Sequence, residues 1–275
     1  MIYDCFMFLN ENDLLEIRIN QHLDFVDKFI IIEAGQTHSG NKKTKNFDTK
    51  RFEKYADKIE YRFFESLDEQ HKGKPNLINY DLFSQYSTQH EKQHWLRENI
   101  QINLSVEILK ELGAKETDLV IWGGLDEILK KEAIEIAQKF IFQKTESFPN
   151  QCCTFEVDTY AYKLNLFHKP ILAPLMCFFK KYCDNLPSKL RTNCMCFNNI
   201  LKNAGWQFTG LSKSPENLIY KYRNFSHAYE HETIKDEEIE TKVLQMYDVK
   251  KVDISRASHP EYIVNNIEKL AEFIY

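Results

Sequence analysis

The ten residues from Asp118 to Glu127, DLVIWGGLDE, decide how the rest of the chain is read. Leu119 to Trp122 is a short, unbroken apolar run that stops at two glycines, the pattern of a central parallel strand covered on both faces. Asp126 and Glu127 then stand just past its end, where open α/β sheets take their ligands. An Asp-Glu pair after a strand is more often a helix cap beside a solvated neighbour. The pair therefore assigns no chemistry until its surroundings are known.

Upstream, Ile2 to Leu9 is a nearly continuous apolar run with Asp4 as its only charge, which predicts a buried first strand. Asn10 or Asn12 is positioned to cap a following helix, carried by Leu14, Ile17 or Arg18, and Leu23 to about Asp24. Lys28 to Glu33 (KFIIIE) predicts a second buried strand, Arg51 to Lys58 a helix, and Ile59 to Phe64 a third strand. Strands alternating with helices specify a doubly wound, mainly parallel sheet, hence an α/β fold. Ser66 to Pro75 reads as a loop and Asn76 to Leu112 as helix. Within it Leu96, Ile100, Leu104, Ile108 and Leu112 form one apolar stripe closed by Gly113. Arg97 and Gln101 lie one turn apart on a neighbouring face, directed into a common cleft.

Beyond a helix at Ala133 to Phe142 the texture changes. Cys152 to Leu166, Met176 to Tyr182 and Arg191 to Phe197 are aromatic-rich and read as antiparallel strands, punctuated by Pro170, Pro174 and Pro187. Helices follow at Pro215 to Phe225 and Asp236 to Tyr247, and His259-Pro260 opens a last one to Tyr275. No internal repeat or linker divides the chain, so residues 1–275 read as one domain with halves at 1–130 and 131–275.

The composition is that of an ordinary globular protein, with 43% hydrophobic and 28% charged residues over 275 positions. A net charge of −5 advertises neither nucleic acid nor an anionic membrane as partner. The one basic cluster, Lys42, Lys43, Lys45, Lys50 and Arg51, reads as a solvated loop or, more sharply, as a lid that meets phosphates. No run approaches the roughly 20 apolar residues that span a bilayer, and no basic segment precedes the first apolar run, so a cytoplasmic protein is expected. Seven cysteines, Cys5, Cys152, Cys153, Cys177, Cys183, Cys194 and Cys196, are expected as free thiols in a reducing compartment. Cys194 and Cys196 lack the partners a zinc site needs.

Seven segments, taken in order, resemble one family, the β-1,4-mannosyl-glycoprotein N-acetylglucosaminyltransferases of glycosyltransferase family seventeen. They are YDCFMFLNENDLLEIRIN from Tyr3, FIIIEAGQTHSG from Phe29, WLRENIQIN from Trp95, DLVIWGGLDEI from Asp118, NAGWQFTG from Asn203, FSHAYE from Phe225 and HPEYIVNN near the C-terminus. The resemblance implies a glycosyltransferase A-type fold, with a nucleotide-sugar-binding half at 1–130 and an acceptor-side half of antiparallel strands and helices at 131–275. It also implies inverting transfer of a sugar, N-acetylglucosamine foremost, from a UDP-linked donor to a glycan acceptor.

Expelling a nucleoside diphosphate leaves negative charge on phosphate oxygens, which Mn²⁺ or Mg²⁺ held by carboxylates usually meets. Where the family reads Ser-Asp-Val-Asp-Glu, this chain reads Gly123-Gly124-Leu125-Asp126-Glu127. Asp126 is retained, whereas Gly124 supplies no ligand, so weakened metal binding is expected, with His227 of the matching Phe225-Ser226-His227 as a second ligand. A second departure is Gln207, where the family tends to have His. Glu127 is the first choice of base, with Glu33, Glu98 and Asp158 as alternatives. Donor contacts are expected from Asn10, Glu11, Glu33, Thr37, His38, Arg97 and Gln101, and from Arg18 if its helix turns that way. Trp206, Gln207 and Tyr162 fall to the acceptor side, although a core role suits both aromatics equally. Three competitors remain: a metal-independent enzyme, a non-catalytic sugar-nucleotide or glycan binder, and a carboxylate hydrolase.

Overall fold

The computed structural model describes residues 1–72, 74, 77–79, 88–143, 152–192 and 199–275. Its first half is a parallel sheet. Strands β1 (Ile2–Phe8), β2 (Lys28–Ala34), β3 (Ile59–Phe64) and β4 (Leu119–Trp122) lie in the order β3-β2-β1-β4, and each adjacent pair is parallel. Side chains on a strand alternate between faces, so one strand feeds two cores. Ile2, Phe6 and Phe8 pack with Leu14, Leu15 and Ile17 of α1 (Asn12–His22). Tyr3 and Cys5 pack on the opposite face, with Ile102, Val106, Ile108 and Leu109 of a long helix. Each such side chain, fully buried, contributes about 1.5–3 kcal/mol. A sheet clothed on both faces is what the unbroken apolar runs predicted.

A short turn of helix, α2 (Leu67–Gln70), precedes that long helix, α3 (Gln89–Glu111). Thr88 caps α3, and Glu91 closes the reciprocal capping box. Its stripe falls as expected, with Ile100, Leu104 and Ile108 buried, and Gly113 ends it at φ +73°, the left-handed conformation of a helix stop.

The second half extends the same sheet. β5 (Glu127–Leu129) and α4 (Lys131–Gln143) follow the glycine turn, then the antiparallel pair β6 (Cys152–Ala161) and β7 (Leu166–Phe178). Next come α5 (Phe179–Asn185), α6 (Pro187–Thr192), β8 (Ile200–Leu201), β9 (Gly205–Thr209) and α7 (Pro215–Asn224). The chain closes with α8 (Asp236–Tyr247), β10 (Lys250–Lys251) and α9 (Glu261–Asn265). The sheet continues β4-β7-β6-β9-β5 without a break, so both halves hang on one ladder. β7 runs antiparallel to β4 and β5 antiparallel to β9.

Several expectations are corrected. Arg51 to Lys58 holds only the 3₁₀ turn Glu53–Tyr55. Neither Asn10 nor Asn12 caps α1; Asn12 is its first residue and turns its side chain onto Asn46 O and Asp48 N instead. Ser66 to Pro75 contains α2. Met176 to Tyr182 leaves the sheet at Phe178, and Arg191 and Thr192 are helical; the remainder of the strand expected at Arg191 to Phe197 lies outside the described residues. Pro170 and Pro174 sit inside β7 rather than at its ends, opposite a partner strand whose register shifts twice, the setting in which a strand tolerates proline. Only Glu261–Asn265 of the last expected helix is α-helical. Cys5, Cys153, Cys177 and Cys183 are free, but Cys152 is disulfide-bonded, so the expectation of free thiols fails there. Cys194 and Cys196 lie outside the described residues. Among the described residues no helix is long and apolar enough to cross a membrane.

Candidate active site

The turn after β4 is pinned through its backbone. Glu127 N donates to Gly124 O at 3.0 Å, and the Glu127 carboxylate accepts from Gly124 N at 2.7 Å. Glycine is required beside this carboxylate, since a Cβ on Gly123 would lie 2.6 Å from Glu127 Oε2 and 2.9 Å from Pro174 Cβ. Arg18 of α1, 0% exposed, reaches the turn from below. Its Nη1 donates to the carbonyls of Gly124 (2.7 Å), Leu125 (3.2 Å) and Glu127 (2.7 Å), while Nε and Nη2 hold Asp4 at 2.9 and 2.6 Å. Phe208 N donates to the Asp126 carbonyl at 2.9 Å. Arg18 is thus a buried clamp and reaches no phosphate. The sequence placed it on α1 without showing that Asp4, the lone charge in β1, was its partner.

His22 completes the clamp. Leu129 N donates to its Nε2 at 2.9 Å, which leaves the proton on Nδ1, directed at Asp4 2.8 Å away. Burial holds this imidazole below the usual histidine range, hence neutral. For Asp4, burial acts to raise the pKa, but Arg18 and His22 outweigh it and hold the carboxyl at about 2.

With the backbone fixed, one side chain of the turn is left over. Asp126 is half-buried, and its side chain makes no hydrogen bond or ion pair with any described residue. It lines both compartments of a cleft at the carboxyl ends of β1, β2 and β4, the place where open sheets bind ligands. Burial raises its pKa above the usual aspartate range, against the pull of Lys221 and with Glu127 adding to the rise.

The first compartment has apolar walls from Met7, Phe8, Ala34, Leu125 and Phe225, with Glu11, Thr37, His38, Lys43 and Lys221 around them. The second adds Trp95, Glu98, Arg191, His227 and Tyr247. They hold cavity volumes of about 140 and 420 Å³ and both open to solvent. Lys221 borders both, 3.3 Å from Glu11. Burial works against its charge, but Glu11 and Asp126 outweigh it and keep the ammonium protonated.

The other expected site residues divide. Glu11 is in the cleft, its second oxygen accepting from Leu9 N and Asn10 N at 3.1 Å each. Asn10 lines an adjoining hollow behind Lys221. His38 is in the cleft, with Nε2 2.8 Å from Gln101 Oε1 and Glu98 3.9 Å from Nδ1; burial lowers its pKa. Gln101 reaches the cleft edge and donates to Ile32 O. Arg97 is placed differently: it pairs with Asp68 and donates to His38 O at 3.0 Å, holding the loop from beneath. Glu33 is also taken up within the fold. Its buried carboxylate accepts from Lys43, Asn46 N (2.7 Å), Phe47 N (3.2 Å) and the Tyr61 hydroxyl (2.8 Å), so it anchors the basic loop.

Glu127, the first choice of base, is 0% exposed and held by Arg191 through two bonds of 2.9 and 2.7 Å. Arg191 outweighs the effect of burial and keeps its pKa low, the reverse of what a proton acceptor needs. Asp158 lines neither compartment. Trp206 is a core residue at 5% exposure whose indole N–H donates to Ser258 O at 2.8 Å, so it offers no sugar platform. Gln207 sits on β9 opposite Glu127 and accepts from the Thr159 hydroxyl. Tyr162 is buried against Leu218 and Tyr222. His227 lines the second compartment, bonded to Glu230 at 2.8 Å and edge-on to Trp95.

Lys221 and Arg191 were not anticipated. A signal existed for Lys221: Leu218 and Tyr222 are the buried face of α7, and position 221 lies on that face by helical spacing. Arg191 had none, because its segment reads as strand.

The family model described as Glycosyltransferase family 17 matches residues 1–265. No curated protein matches the chain.

Proposed function

The chain belongs to glycosyltransferase family 17 and is a glycosyltransferase, and from that premise we propose that it transfers a sugar from a nucleotide sugar, UDP-linked in the first instance, to a glycan acceptor with inversion. The reading rests above all on Asp126, the one acidic side chain of the organising turn without a partner among the described residues, lining both compartments. The parallel order β3-β2-β1-β4 with the cleft at its carboxyl edge suits a glycosyltransferase A-type fold. The nucleoside fits the apolar first compartment, and the acceptor the second, where Trp95 and His227 form the rim.

The residues at the turn do not fit a divalent ion held by the protein. Gly124 offers no ligand, Glu127 is taken by Arg191, Glu11 faces Lys221, and the charges acting on Asp126 include two cations, Lys221 and Arg191. Among the described residues Asp126 and His227 belong to no group of three metal-capable side chains. In the proposed mechanism Asp126 takes the proton of the acceptor hydroxyl as that oxygen attacks the anomeric carbon. The C–O bond to the diphosphate breaks with its electron pair on the phosphate oxygen, and Lys221 meets the charge there. A pKa lifted by burial makes Asp126 the better acceptor of that proton.

Asp126→Asn tests this. Nucleotide release from a panel of sugar nucleotides should fall by about 10²-fold or more, with the melting temperature nearly unchanged because the side chain makes no bond in the fold. In the wild type the acid limb of kcat/KM should lie above the usual aspartate pKa of about 3.9. Full activity in the variant would remove Asp126 from the chemistry.

A further inference from the structure

Away from the cleft floor, His90 and His94 stand one turn apart at the start of α3, and Glu232 faces them from the segment after the 3₁₀ turn Ala228–His231. One ligand-capable atom from each lies within 4.8 Å of the other two, and His90 Nε2 is 3.6 Å from a Glu232 oxygen. Among the described residues this is the only such trio of His, Cys, Asp or Glu.

His94 carries the second observation. It is 1% exposed, and its Nδ1 lies 3.3 Å from the carbonyl of Ser226, which can only accept. The ring proton therefore sits on Nδ1 and the lone pair on Nε2. That Nε2 is buried and has no hydrogen-bond partner, whereas buried polar atoms normally have one. A histidine whose far nitrogen is fixed by a backbone carbonyl is how metal-binding imidazoles are oriented.

We propose that His90, His94 and Glu232 bind one zinc-class divalent cation, with water completing its coordination. Metal–ligand bonds of about 2.0–2.1 Å in a tetrahedral shell place ligand atoms roughly 3.4 Å apart. The His90–Glu232 separation is nearly that already, and both side chains are about 55% exposed and free to close on the ion. Two imidazoles and a carboxylate suit zinc, whereas Mg²⁺ and Ca²⁺ prefer an all-oxygen shell. The helix N-terminus opposes a cation, and the Glu232 carboxylate offsets that. The ion ties α3 to the segment bearing Ser226, His227 and Tyr229. Trp95, next to His94, packs edge-on to His227 and donates to the Tyr229 hydroxyl. Metal binding thus sets one wall of the second compartment, independently of any transfer chemistry at Asp126.

The test uses the full chain without an affinity tag, stripped with EDTA, dialysed and titrated with Zn²⁺ against a competing chelator. One equivalent should bind, Co²⁺ should give the intense visible absorption of a four-coordinate site, and His90→Ala and Glu232→Gln should each weaken binding by about tenfold or more. Both positions are exposed, so the variants should fold, as circular dichroism will check; Asp126→Asn should bind like the wild type. Binding below one equivalent, or undiminished in His90→Ala, would overturn the site.

Discussion

Replacing Arg18 by methionine keeps a long apolar stem and removes the guanidinium. Asp4 then loses bonds of 2.9 and 2.6 Å, and the carbonyls of Gly124, Leu125 and Glu127 lose their shared donor. Breaking one side of a buried ion pair costs about 3–5 kcal/mol, and the orphaned carbonyls add to this less than additively. Over 275 residues, an unfolding entropy of about 2.1 cal/mol/K per residue totals roughly 0.6 kcal/mol/K, so the melting temperature should fall by about 5–9 °C. The loss depends on pH with a definite sign. Asp4 has a folded pKa of about 2 against roughly 3.9 unfolded, so it contributes about 2.6 kcal/mol above pH 4, lost as pH falls towards 2. About half of this is gone by pH 3, and the gap between wild type and variant in urea should narrow by roughly 1 kcal/mol there. Turnover, measured well below both transitions, should also fall, because the clamp positions the turn that carries Asp126. Leu104→Ala supplies a control matched in stability. A loss under about 1 kcal/mol, or turnover no lower than in that control, would refute the clamp.

Leu104→Ala truncates a side chain buried among Ile100, Leu67 and Leu77 and should cost about 2–5 kcal/mol in denaturant titration while leaving kcat intact. A cost near zero would mean that α3 buries another face. Lys221→Met should weaken UDP binding by about 1.5–3 kcal/mol in calorimetry, since a charged hydrogen bond to phosphate is lost; unchanged affinity would place the diphosphate elsewhere. Gly124→Asp should yield no gain in Mn²⁺-dependent turnover, because its Cβ would run into the Asp126 carboxylate and displace it. A large gain would instead identify a metal site that has decayed.

The parallel half of the fold was legible because burial on both faces writes itself as unbroken apolar runs. Asp4, Lys28 and Glu33 aside, β1, β2 and β4 are such runs, and their ends fall within a residue or two of where the composition changes. The antiparallel half was harder to read because its boundaries are set by partners distant in sequence. β9 is only five residues long and is made a strand by β6 on one side and β5 on the other. Phe179 to Tyr182 has strand-like composition but turns helical once Phe178 has paired with Leu119. Here tertiary contacts outweigh propensity.

For the site, what a sequence can show is which carboxylates stand after a strand; what it cannot show is which of them are already satisfied. Glu33, Glu127 and Asp126 look alike as letters. Glu33 proves to be the anchor of four donors, and Glu127 the partner of an arginine 64 residues away. Asp126 is singled out by subtraction, since donors from Arg18, Phe208 and the Glu127 backbone meet the carbonyls of residues 124–127, while its side chain has no hydrogen-bond partner among the described residues. The same subtraction bears on the missing aspartate at position 124. With Lys221 delivered to the cleft by the buried face of α7, the turn has a positive charge beside Asp126 where a second carboxylate would otherwise have had to recruit one. An ammonium held on a helix needs no ligand set, so in the proposed mechanism Lys221 can meet the charge of a departing diphosphate without a carboxylate at position 124.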